Sequence, residues 1–191
     1  MVHAARGAHL SLPAYLAAEA LSETRHEWIR GEIFDMAGGS PEHAALAAAV
    51  AGELRTALRG RPCRVFSSDL RVFIREAEVA TYPDVSVVCG ALESPPEDPN
   101  AIVNPALLVE ILSDSTEPYD RGEKFAAYQR LPSLKAYVLV AQRTRRVEVF
   151  RRQGERRWEL EVFGAGQAVA LQDLGVTLDV DALYFDPTAA E

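Results

Sequence analysis

The sequence predicts a mixed α/β protein in which helices flank a central mixed β-sheet within a single domain. A length of 191 residues suits one compact domain with its own core. Strand-like and helix-like segments alternate along most of the chain, which is typical of this class. Residues 107–141 follow a strand-helix-strand pattern, which favours parallel neighbouring strands. We expect residues 1–10 to be a tail and residues 11–186 to be the domain.

The first elements are predicted to be a helix and a hairpin. Ser11 followed by Pro13 is typical of a helix start, since proline is tolerated in the first turn. Residues 25–37 contain two short strand-like runs that Arg30 and Gly31 separate. This pattern predicts a two-strand hairpin.

A long helix is predicted from Pro41 to about Arg59. Ser40 precedes it as a candidate cap, and proline suits the first helical position. Large apolar residues four positions apart give this helix one face for burial. They are Leu46, Val50, Leu54 and Leu58.

The remaining strands are predicted from short runs of apolar and β-branched residues. They lie at residues 63–74, 82–89, 107–112, 136–141, 147–152 and 158–163. A proline-rich stretch at residues 90–105 is predicted to be a surface loop. Residues 120–130 are predicted to be helical, with Asp120 and Glu123 spaced like a capping box. A strand and a short helix are expected within residues 169–185.

Composition favours a cytoplasmic protein without a membrane segment. Apolar residues make up 48% of the chain, but no apolar run approaches the ~20 residues that a membrane span needs. The first residues lack the pattern of a secretory signal. Cys63 and Cys89 are isolated and show no CxxC spacing. We therefore expect two reduced thiols, and neither a zinc site nor a disulfide.

The charge is distributed unevenly along the chain. The formal net charge of −8 argues against a protein that coats nucleic acid nonspecifically. Residues 130–157, however, contain nine of the 20 Lys and Arg residues and only two acids, a local balance of +7. Such a basic segment fits a local contact with nucleic acid. Two solvated strands with outward arginines are the alternative.

Two acids interrupt apolar strands. Asp84 lies within the run 82–88, and Glu110 lies within the run 107–112. A carboxylate in a covered strand is unfavourable unless it is paired or binds a metal. Two such acids on neighbouring strands would repel each other, and a shared divalent cation removes that repulsion. The alternative is a strand-end Asp and a Glu that pairs with a local Arg.

Lys124 is the third candidate, because it lies one turn into the helix that follows the Glu110 strand. From there its ammonium could point at the carboxylates, where it would orient a water molecule or stabilise phosphate charge. The alternative is an ordinary solvated helix lysine.

These residues together resemble the PD-(D/E)xK nuclease superfamily and, more narrowly, the Uma2 group of restriction-endonuclease-like proteins. The resemblance rests on Pro83-Asp84, Glu110-Ile111-Leu112 and Lys124, and it extends from about Ser11 to Phe185. Other matching positions are Leu12-Pro13-Ala14-Tyr15-Leu16, Arg30-Gly31-Glu32, His43, Ser113, Ser115-Thr116, Asp120, Tyr128 and Tyr137. One departure is that the superfamily lysine stands two residues after the acid, where this chain has Leu112. In the Uma2 group the lysine has moved to the following helix, at the place of Lys124.

The resemblance implies a restriction endonuclease-like fold and a nuclease that uses Mg²⁺ or Mn²⁺ to hydrolyse phosphodiester bonds, with DNA as the first expected substrate. Asp84 and Glu110 are then the carboxylate ligands, and the Ile111 carbonyl is a third oxygen ligand. Lys124 completes the catalytic set, and Glu32 is expected to assist from the hairpin, with a hairpin charge that faces water as the alternative. Many nucleases of this fold act as dimers, which predicts a homodimer.

Two further residues are candidates for substrate contact or positioning. His43, in the first turn of the long helix, is expected to face the cleft and touch the substrate. A hydrogen-bonded histidine at a helix end is the alternative. Tyr128 lies one turn after Lys124 and is expected to hold its ammonium, whereas core packing is the alternative. Loop or capping roles explain other polar residues nearby, namely Asp114, Asp120, Ser115 and Thr116.

The sequence leaves two other functional classes open. The acidic net charge and the missing lysine after Glu110 are also compatible with a binding or scaffold module that keeps the nuclease fold without activity. A self-associating structural protein is the third possibility, because exposed strands in the C-terminal half could pair between copies.

Overall fold

The computed structural model describes residues 9–36 and 38–188. Most of the predicted tail (residues 1–8), the last residue of the predicted hairpin (Ala37) and residues 189–191 lie outside the described residues. None of the helices in the described ranges combines the length and the apolar character needed to cross a membrane. The cytoplasmic location stays a prediction.

The described residues contain short helices and strands in the following order. They are α1 (Leu12–Glu19), β1 (His26–Ile29), β2 (Glu32–Asp35), α2 (Pro41–Ala57), β3 (Cys63–Ser67), β4 (Arg71–Ile74), β5 (Val79–Thr81), β6 (Val85–Cys89), β7 (Ala101–Ile102), β8 (Leu107–Leu112), α3 (Glu117–Tyr119), a π-helical turn (Asp120–Lys124), α4 (Phe125–Tyr128), β9 (Ala136–Ala141), β10 (Arg146–Arg152), β11 (Trp158–Gly164), β12 (Ala168–Leu171), β13 (Val176–Asp179) and α5 (Val180–Leu183).

A six-stranded mixed sheet forms the centre of the fold, in the order β11-β10-β9-β8-β6-β3. The pair β8 and β9 is parallel, and the other neighbouring strands are antiparallel. The helices from α3 to α4 connect β8 to β9, so the predicted strand-helix-strand unit is confirmed. The mixed α/β class is confirmed with it.

Two smaller sheets accompany the central one in the described residues, in the orders β2-β1-β5-β4-β7 and β12-β13. The prediction of one continuous strand over residues 63–74 was wrong, because β3 and β4 belong to different sheets. A turn separates them, in which Leu70 N donates to Ser67 O and Asp69 N donates to Ser67 Oγ. Ser and Asp favour such turns because their side chains bond to nearby backbone groups.

The predicted hairpin and the long helix are confirmed. Strands β1 and β2 are joined by Arg30 and Gly31, which both have positive φ, as a two-residue turn of type I′ requires. Helix α2 begins after Ser40, whose side chain accepts a hydrogen bond from His43 N at 3.2 Å. Its four spaced apolar residues are all buried and pack on one face of the central sheet, as the spacing predicts.

The opposite face of the central sheet is covered by α4. Phe125 and Tyr128 pack there against Leu108, Leu112 and Tyr137. Successive side chains of a strand point to opposite faces, so Glu110, which lies between Leu108 and Leu112, points toward this helix as well. The fold therefore directs the buried acid of β8 toward the segment that carries Lys124.

The expectation of two reduced thiols was wrong, because Cys63 and Cys89 form a disulfide. Strands β3 and β6 are antiparallel neighbours, and the two cysteines lie directly opposite each other in their register. Their Cα atoms are 4.0 Å apart. A sequence separation of 26 residues gives no sign of this proximity, which depends on strand pairing alone.

The helix predicted at residues 120–130 begins earlier and is not regular. Its first turn is α3, which starts at Glu117, and Ser113 Oγ accepts a hydrogen bond from Thr116 N ahead of it. The capping box expected at Asp120 was therefore wrong. Asp120 instead opens the π-helical turn, and both ends of that turn, Asp120 and Lys124, are buried. Such π-turns occur often at functional sites.

Candidate functional site

Asp84 and Glu110 meet at the ends of two paired strands. Val85 of β6 lies opposite Val109 of β8, which places Asp84 beside Glu110. The Asp84 amide donates to Glu110 Oε2 at 3.4 Å, and Asp84 Oδ2 accepts from the Ile111 amide at 2.7 Å. Both carboxylates line the same cavity, which the sequence alone could not decide.

This cavity, the acidic cavity below, has a volume of about 510 Å³. One wall is formed by the described part of the β2–α2 loop and the first turn of α2, and the other by the end of β8, the following loop and the π-turn. Its acidic lining consists of Glu27, Asp35, Asp84, Glu110 and Asp120. Lys124 and His43 supply basic groups opposite these acids.

Lys124 lies among three carboxylates. Its ammonium is 2.9 Å from Glu110 Oε1, 3.3 Å from Glu27 Oε1 and 3.7 Å from Asp120 Oδ1. The side chain is only 8% exposed, so these ion pairs are poorly screened by solvent. Since Asp120 and Lys124 begin and end the π-turn, this irregular turn brings both into one cavity.

Two buried tyrosines, Tyr128 and Tyr137, donate hydrogen bonds to groups of this site. The Tyr128 hydroxyl donates to Glu110 Oε1 at 2.7 Å, and the Tyr137 hydroxyl donates to the Asp120 carbonyl at 3.0 Å. The two rings contact each other edge to face, with centroids 5.2 Å apart. Tyr128 is therefore bonded to the acid rather than to the ammonium of Lys124, and it is fully buried as well.

Burial dominates the electrostatics of the central pair. It raises the pKa of Glu110 to about 8, while Lys124 acts in the opposite direction. Burial is also the largest single influence on the pKa of Lys124, which it lowers. The nearby carboxylates, led by Glu110 and Glu27, together outweigh burial and hold the pKa of Lys124 well above its ordinary value. Burial therefore opposes the charged form of Glu110, while the surrounding carboxylates stabilise the charged form of Lys124.

His43 lies on the other side of Asp84, with Nε2 at 3.3 Å from Asp84 Oδ2. The hydrogen bond with Asp84 raises the pKa of His43, against the opposing effect of burial, and a bond to the Ile111 backbone adds to the rise. His43 thus contacts Asp84, one of the three groups that the sequence resemblance implies as metal ligands. It lines the acidic cavity, as expected from its place at the start of α2.

Glu32 is not brought into this site, and its predicted role was wrong in that respect. It is exposed on β2 and does not line the acidic cavity. Glu27 of β1 lies there instead, where it accepts hydrogen bonds from the Thr81 hydroxyl and the Tyr82 amide in addition to the Lys124 pair. The hairpin register places both acids on the same face, but Glu32 lies beside the turn on the edge strand β2, whereas Glu27 lies on the inner strand β1.

Three acids of the cavity were assigned no site role from the sequence, namely Glu27, Asp120 and Asp35, the last residue of β2. Glu27 interrupts a strand, and this is the same anomaly that identifies Asp84 and Glu110, so that signal was available. Asp120 was interpreted as a helix cap, and only the π-turn reveals that it faces inward. In the described ranges, no three His, Cys, Asp or Glu side chains are grouped so that they could hold a metal ion. The candidate donors are therefore two carboxylates and a backbone carbonyl.

Comparison with known proteins identifies the family of this chain. A family model, Uma2, described as "Putative restriction endonuclease", matches residues 12–181. The chain belongs to the Uma2 family. The matched residues of this Uma2 protein include both strands that carry the acids, the π-turn and the start of α2.

Similar proteins are found in cyanobacteria. The Synechocystis protein slr1290 is 33% identical to this Uma2 chain over 175 residues, covering 92% of this chain and 91% of the relative. A second Synechocystis protein, sll1609, is 34% identical over 151 residues, covering 79% and 85%. Both carry the name "Uncharacterized protein".

A crystal structure described as a putative nuclease belonging to DUF820, from Anabaena variabilis, superposes on this Uma2 chain with a TM-score of 0.73. It is 22% identical, and the match covers 92% of this chain and 97% of the other. This likeness shows the shared fold, and it confirms the restriction endonuclease-like class that the sequence predicts.

Proposed function

We propose that this Uma2 protein is a divalent-cation-dependent endonuclease that hydrolyses phosphodiester bonds of nucleic acid, with DNA as the first substrate to test. The observation that carries the proposal is the convergence of Asp84, Glu110 and Lys124 in one cavity. These residues come from two strands and a helix, and their types match those of the nuclease superfamily that the sequence resembles. The family assignment supports the same class of reaction.

The cavity suits a hard divalent cation. Asp84 and Glu110 offer carboxylate oxygens, and the Ile111 backbone at the same cavity offers a carbonyl. Oxygen donors of this kind favour Mg²⁺ or Mn²⁺ over zinc. When bound, the cation would activate a water molecule and stabilise negative charge on the phosphate. A positive charge beside Glu110 would also offset the cost of its burial.

Lys124 provides a fixed positive charge for the reaction. Glu110, Glu27 and Asp120 hold its ammonium at the wall of the cavity. From that position it can donate a hydrogen bond to the attacking water or to a phosphate oxygen, where charge develops in the transition state. Tyr128 positions Glu110 from behind, through a hydrogen bond that keeps one carboxylate oxygen in place.

His43 is the substrate-facing member of the group. It is about one-fifth exposed and lies in the first turn of α2, at the edge of the cavity. An imidazolium there would attract a phosphate, and an imidazole would accept a hydrogen bond from water. We assign it to substrate contact and not to proton transfer, because Asp84 already holds its Nε2 atom.

Cleavage assays with matched variants test this proposal. The purified protein, with Mg²⁺ or Mn²⁺, is expected to cut single- or double-stranded DNA or RNA, and chelation is expected to stop it. Asp84→Asn and Glu110→Gln keep the size of each side chain and should abolish cutting. Glu32→Gln removes an acid from the same chain outside the cavity and should cut like the wild type. Undiminished cutting by either cavity variant would refute the assigned centre.

A binding module without activity is the second candidate. It is favoured by the buried Leu112, which occupies the superfamily lysine position, and by the three acids that already surround Lys124. Isothermal titration with Mg²⁺ and Mn²⁺ separates the two candidates. Cation binding that Asp84→Asn removes supports the nuclease, whereas a folded protein that binds neither ion supports the module.

We further propose that the protein forms a homodimer, as many nucleases of this fold do. Strand β11 forms one edge of the central sheet and exposes Leu160 and Val162. Apolar residues at an open sheet edge favour association between copies. Gel filtration with light scattering measures the mass directly, and a monomer at micromolar concentration would contradict this part of the proposal.

A further inference from the structure

A second cavity, of about 400 Å³, adjoins the acidic cavity. The two cavities share Ser113 and Gln142, at the ends of the parallel strands β8 and β9. Gln142 Nε2 donates to Ser40 Oγ at 2.6 Å, so a single side-chain hydrogen bond spans the boundary between them. The two cavities therefore lie side by side at the same end of the central sheet.

Three arginines line this second cavity, which we call the arginine cavity: Arg121, Arg143 and Arg146. Arg143 lies in the β9–β10 turn and Arg146 begins β10, and both fall within the basic segment that the sequence shows at residues 130–157. Arg121 comes from the π-turn. The lining also includes Asp114 and Glu117, so three positive and two negative side chains leave this cavity with a small positive balance beside the acidic one.

Glu148 holds two of these arginines in place. Its side chain is buried and accepts hydrogen bonds from Arg121 Nη1 and Nη2, at 2.6 and 2.9 Å, and from Arg146 Nε at 2.8 Å. Arg121 Nε also bonds to Glu117. Arg146 uses its Nε atom for this contact, and its side chain remains 54% exposed. Its planar guanidinium is therefore fixed in direction and still accessible.

Arg143 is held differently. Its partner is Asp114, and both side chains are about three-quarters exposed. Exposed ion pairs of this kind contribute little, because water screens them and both side chains lose freedom. An anion with more than one acceptor oxygen can therefore replace Asp114 at Arg143 at small cost.

We propose that the arginine cavity binds phosphate groups of the nucleic-acid strand next to the bond in the acidic cavity. This inference rests on the proposed nuclease function. Phosphate is the ligand of choice for converging guanidinium groups, because it accepts parallel hydrogen bonds from their N–H donors. Without bound cations, the acidic cavity repels the polyanionic nucleic-acid strand. A neighbouring basic site would hold the strand in place against this repulsion.

The site uses part of the basic segment, because Arg143 and Arg146 are two of its nine basic residues. A protein with a net charge of −8 has no general affinity for nucleic acid, so contacts must be local. The β9–β10 turn concentrates basic residues at the end of the sheet where β8 delivers Glu110. Phosphate contacts of this kind orient the strand without reading its sequence.

Fluorescence anisotropy with a labelled single-stranded DNA oligonucleotide tests the inference without requiring catalysis. Binding is measured with Ca²⁺ in place of Mg²⁺, over a range of salt concentrations. Arg143→Ala with Arg146→Ala should weaken binding on the order of 10-fold, and should lower the slope of log K against log salt by roughly 1.5. Arg143→Ala alone should weaken binding less than the double variant does. Because Arg143 lies in an exposed ion pair, this single variant should fold normally and so controls for misfolding of the double variant.

Two variants make the test specific. Asp114→Asn removes the carboxylate that competes for Arg143, so it should tighten binding several-fold. Arg59→Ala with Arg64→Ala changes the net charge as much as the double variant does, and both residues are exposed after the far end of α2. A helix of 17 residues is about 25 Å long, so they lie well away from the arginine cavity. This control should bind like the wild type.

The outcomes separate this inference from the proposed function. Equal losses in the cavity variants and in the control would overturn the inference, as would weaker binding by Asp114→Asn or no oligonucleotide binding by the wild type. The proposed function is judged in a separate gel assay, by whether the wild type cuts with Mg²⁺ or Mn²⁺. Cutting with no effect of the arginines would remove the inference alone.

Discussion

The Lys124 ammonium lies 2.9 Å from Glu110 Oε1. A lysine on the helix thus reaches the carboxylate of β8, although the strand position two residues after Glu110 is the buried Leu112. The π-turn at Asp120–Lys124 makes this possible, because it directs both of its end residues into the acidic cavity. In the proposed nuclease centre, the following helix supplies the lysine that the superfamily resembled by the sequence places on the strand.

Replacing Lys124 should separate its structural role from its catalytic one. Lys124→Met leaves Glu27, Glu110 and Asp120 without their shared positive charge, so the free energy of unfolding should fall by about 3–5 kcal/mol. Cleavage should be lost. Adding Glu27→Gln should restore part of the stability without restoring cleavage. Urea unfolding and the gel assay measure the two effects, and wild-type cutting by Lys124→Met would contradict the assignment.

Tyr128→Phe should weaken catalysis more than it weakens folding. It removes the hydroxyl that donates to Glu110 and keeps the packed ring, so the expected loss of stability is about 1–2 kcal/mol. Cleavage should fall because one oxygen of Glu110 is no longer held in place. The matched control is Tyr15→Phe, since Tyr15 is also fully buried and donates to the His26 carbonyl away from the cavity. If both variants cut equally well, Tyr128 has only a packing role.

The disulfide between Cys63 and Cys89 should stabilise the isolated protein. Closing a loop of 26 residues corresponds to about 3.5 kcal/mol in the chain-entropy treatment of the unfolded state. Cys63→Ala with Cys89→Ala should therefore lower the midpoint of thermal unfolding, and dithiothreitol should lower it in the wild type but not in the variant. Mass spectrometry after alkylation under native and reducing conditions counts the thiols. Two alkylated cysteines without reductant would show that the bond does not form.

The ion pairs of Glu148 should make stability depend on pH. Hydrogen bonds from Arg121 hold the pKa of Glu148 below its usual range in the folded protein. A lowered folded-state pKa contributes stability at pH values above the unfolded value, about 4.3, and that contribution is lost as the pH falls through the folded value. Glu148→Gln should therefore cost about 2 kcal/mol at neutral pH.

The difference between Glu148→Gln and the wild type should shrink below pH ~4, where the wild-type carboxyl is itself protonated. Denaturant unfolding across the pH range measures this change. Glu155→Gln, an exposed acid in the β10–β11 turn, serves as the control and should match the wild type throughout. A constant difference at every pH would mean that packing, and not charge, explains the effect.

Local sequence patterns predicted much of the architecture. Strands β8 and β9 coincide with the predicted apolar runs at residues 107–112 and 136–141, because burial on both faces leaves an unbroken apolar signature. Helix α2 and the first hairpin were predicted for similar reasons, since caps, prolines and a positive-φ turn are local features. Where the signal was not local, the predictions failed. The split between β3 and β4 depended on which sheet each strand joins.

Some residues of the candidate site were likewise visible in the local sequence, and others were not. An acid inside an apolar strand is visible in the sequence, and this anomaly identified Asp84 and Glu110. Glu27 shows the same anomaly, but the resemblance to the family pointed to Glu32 as the assisting acid of the hairpin. Asp120 gave no such signal, because an acid near a helix start is usually a cap.

The sequence by itself determined which segments are strands and helices, and which acids are out of place in them, because these properties depend on residues close together in the chain. Only the tertiary structure decided that Lys124 reaches Glu110, that Cys63 faces Cys89 and that the basic turn lies beside the acidic cavity. Each of these depends on how distant segments pair and pack. Strand register and helix irregularity fix such distances, and neither follows from the local pattern.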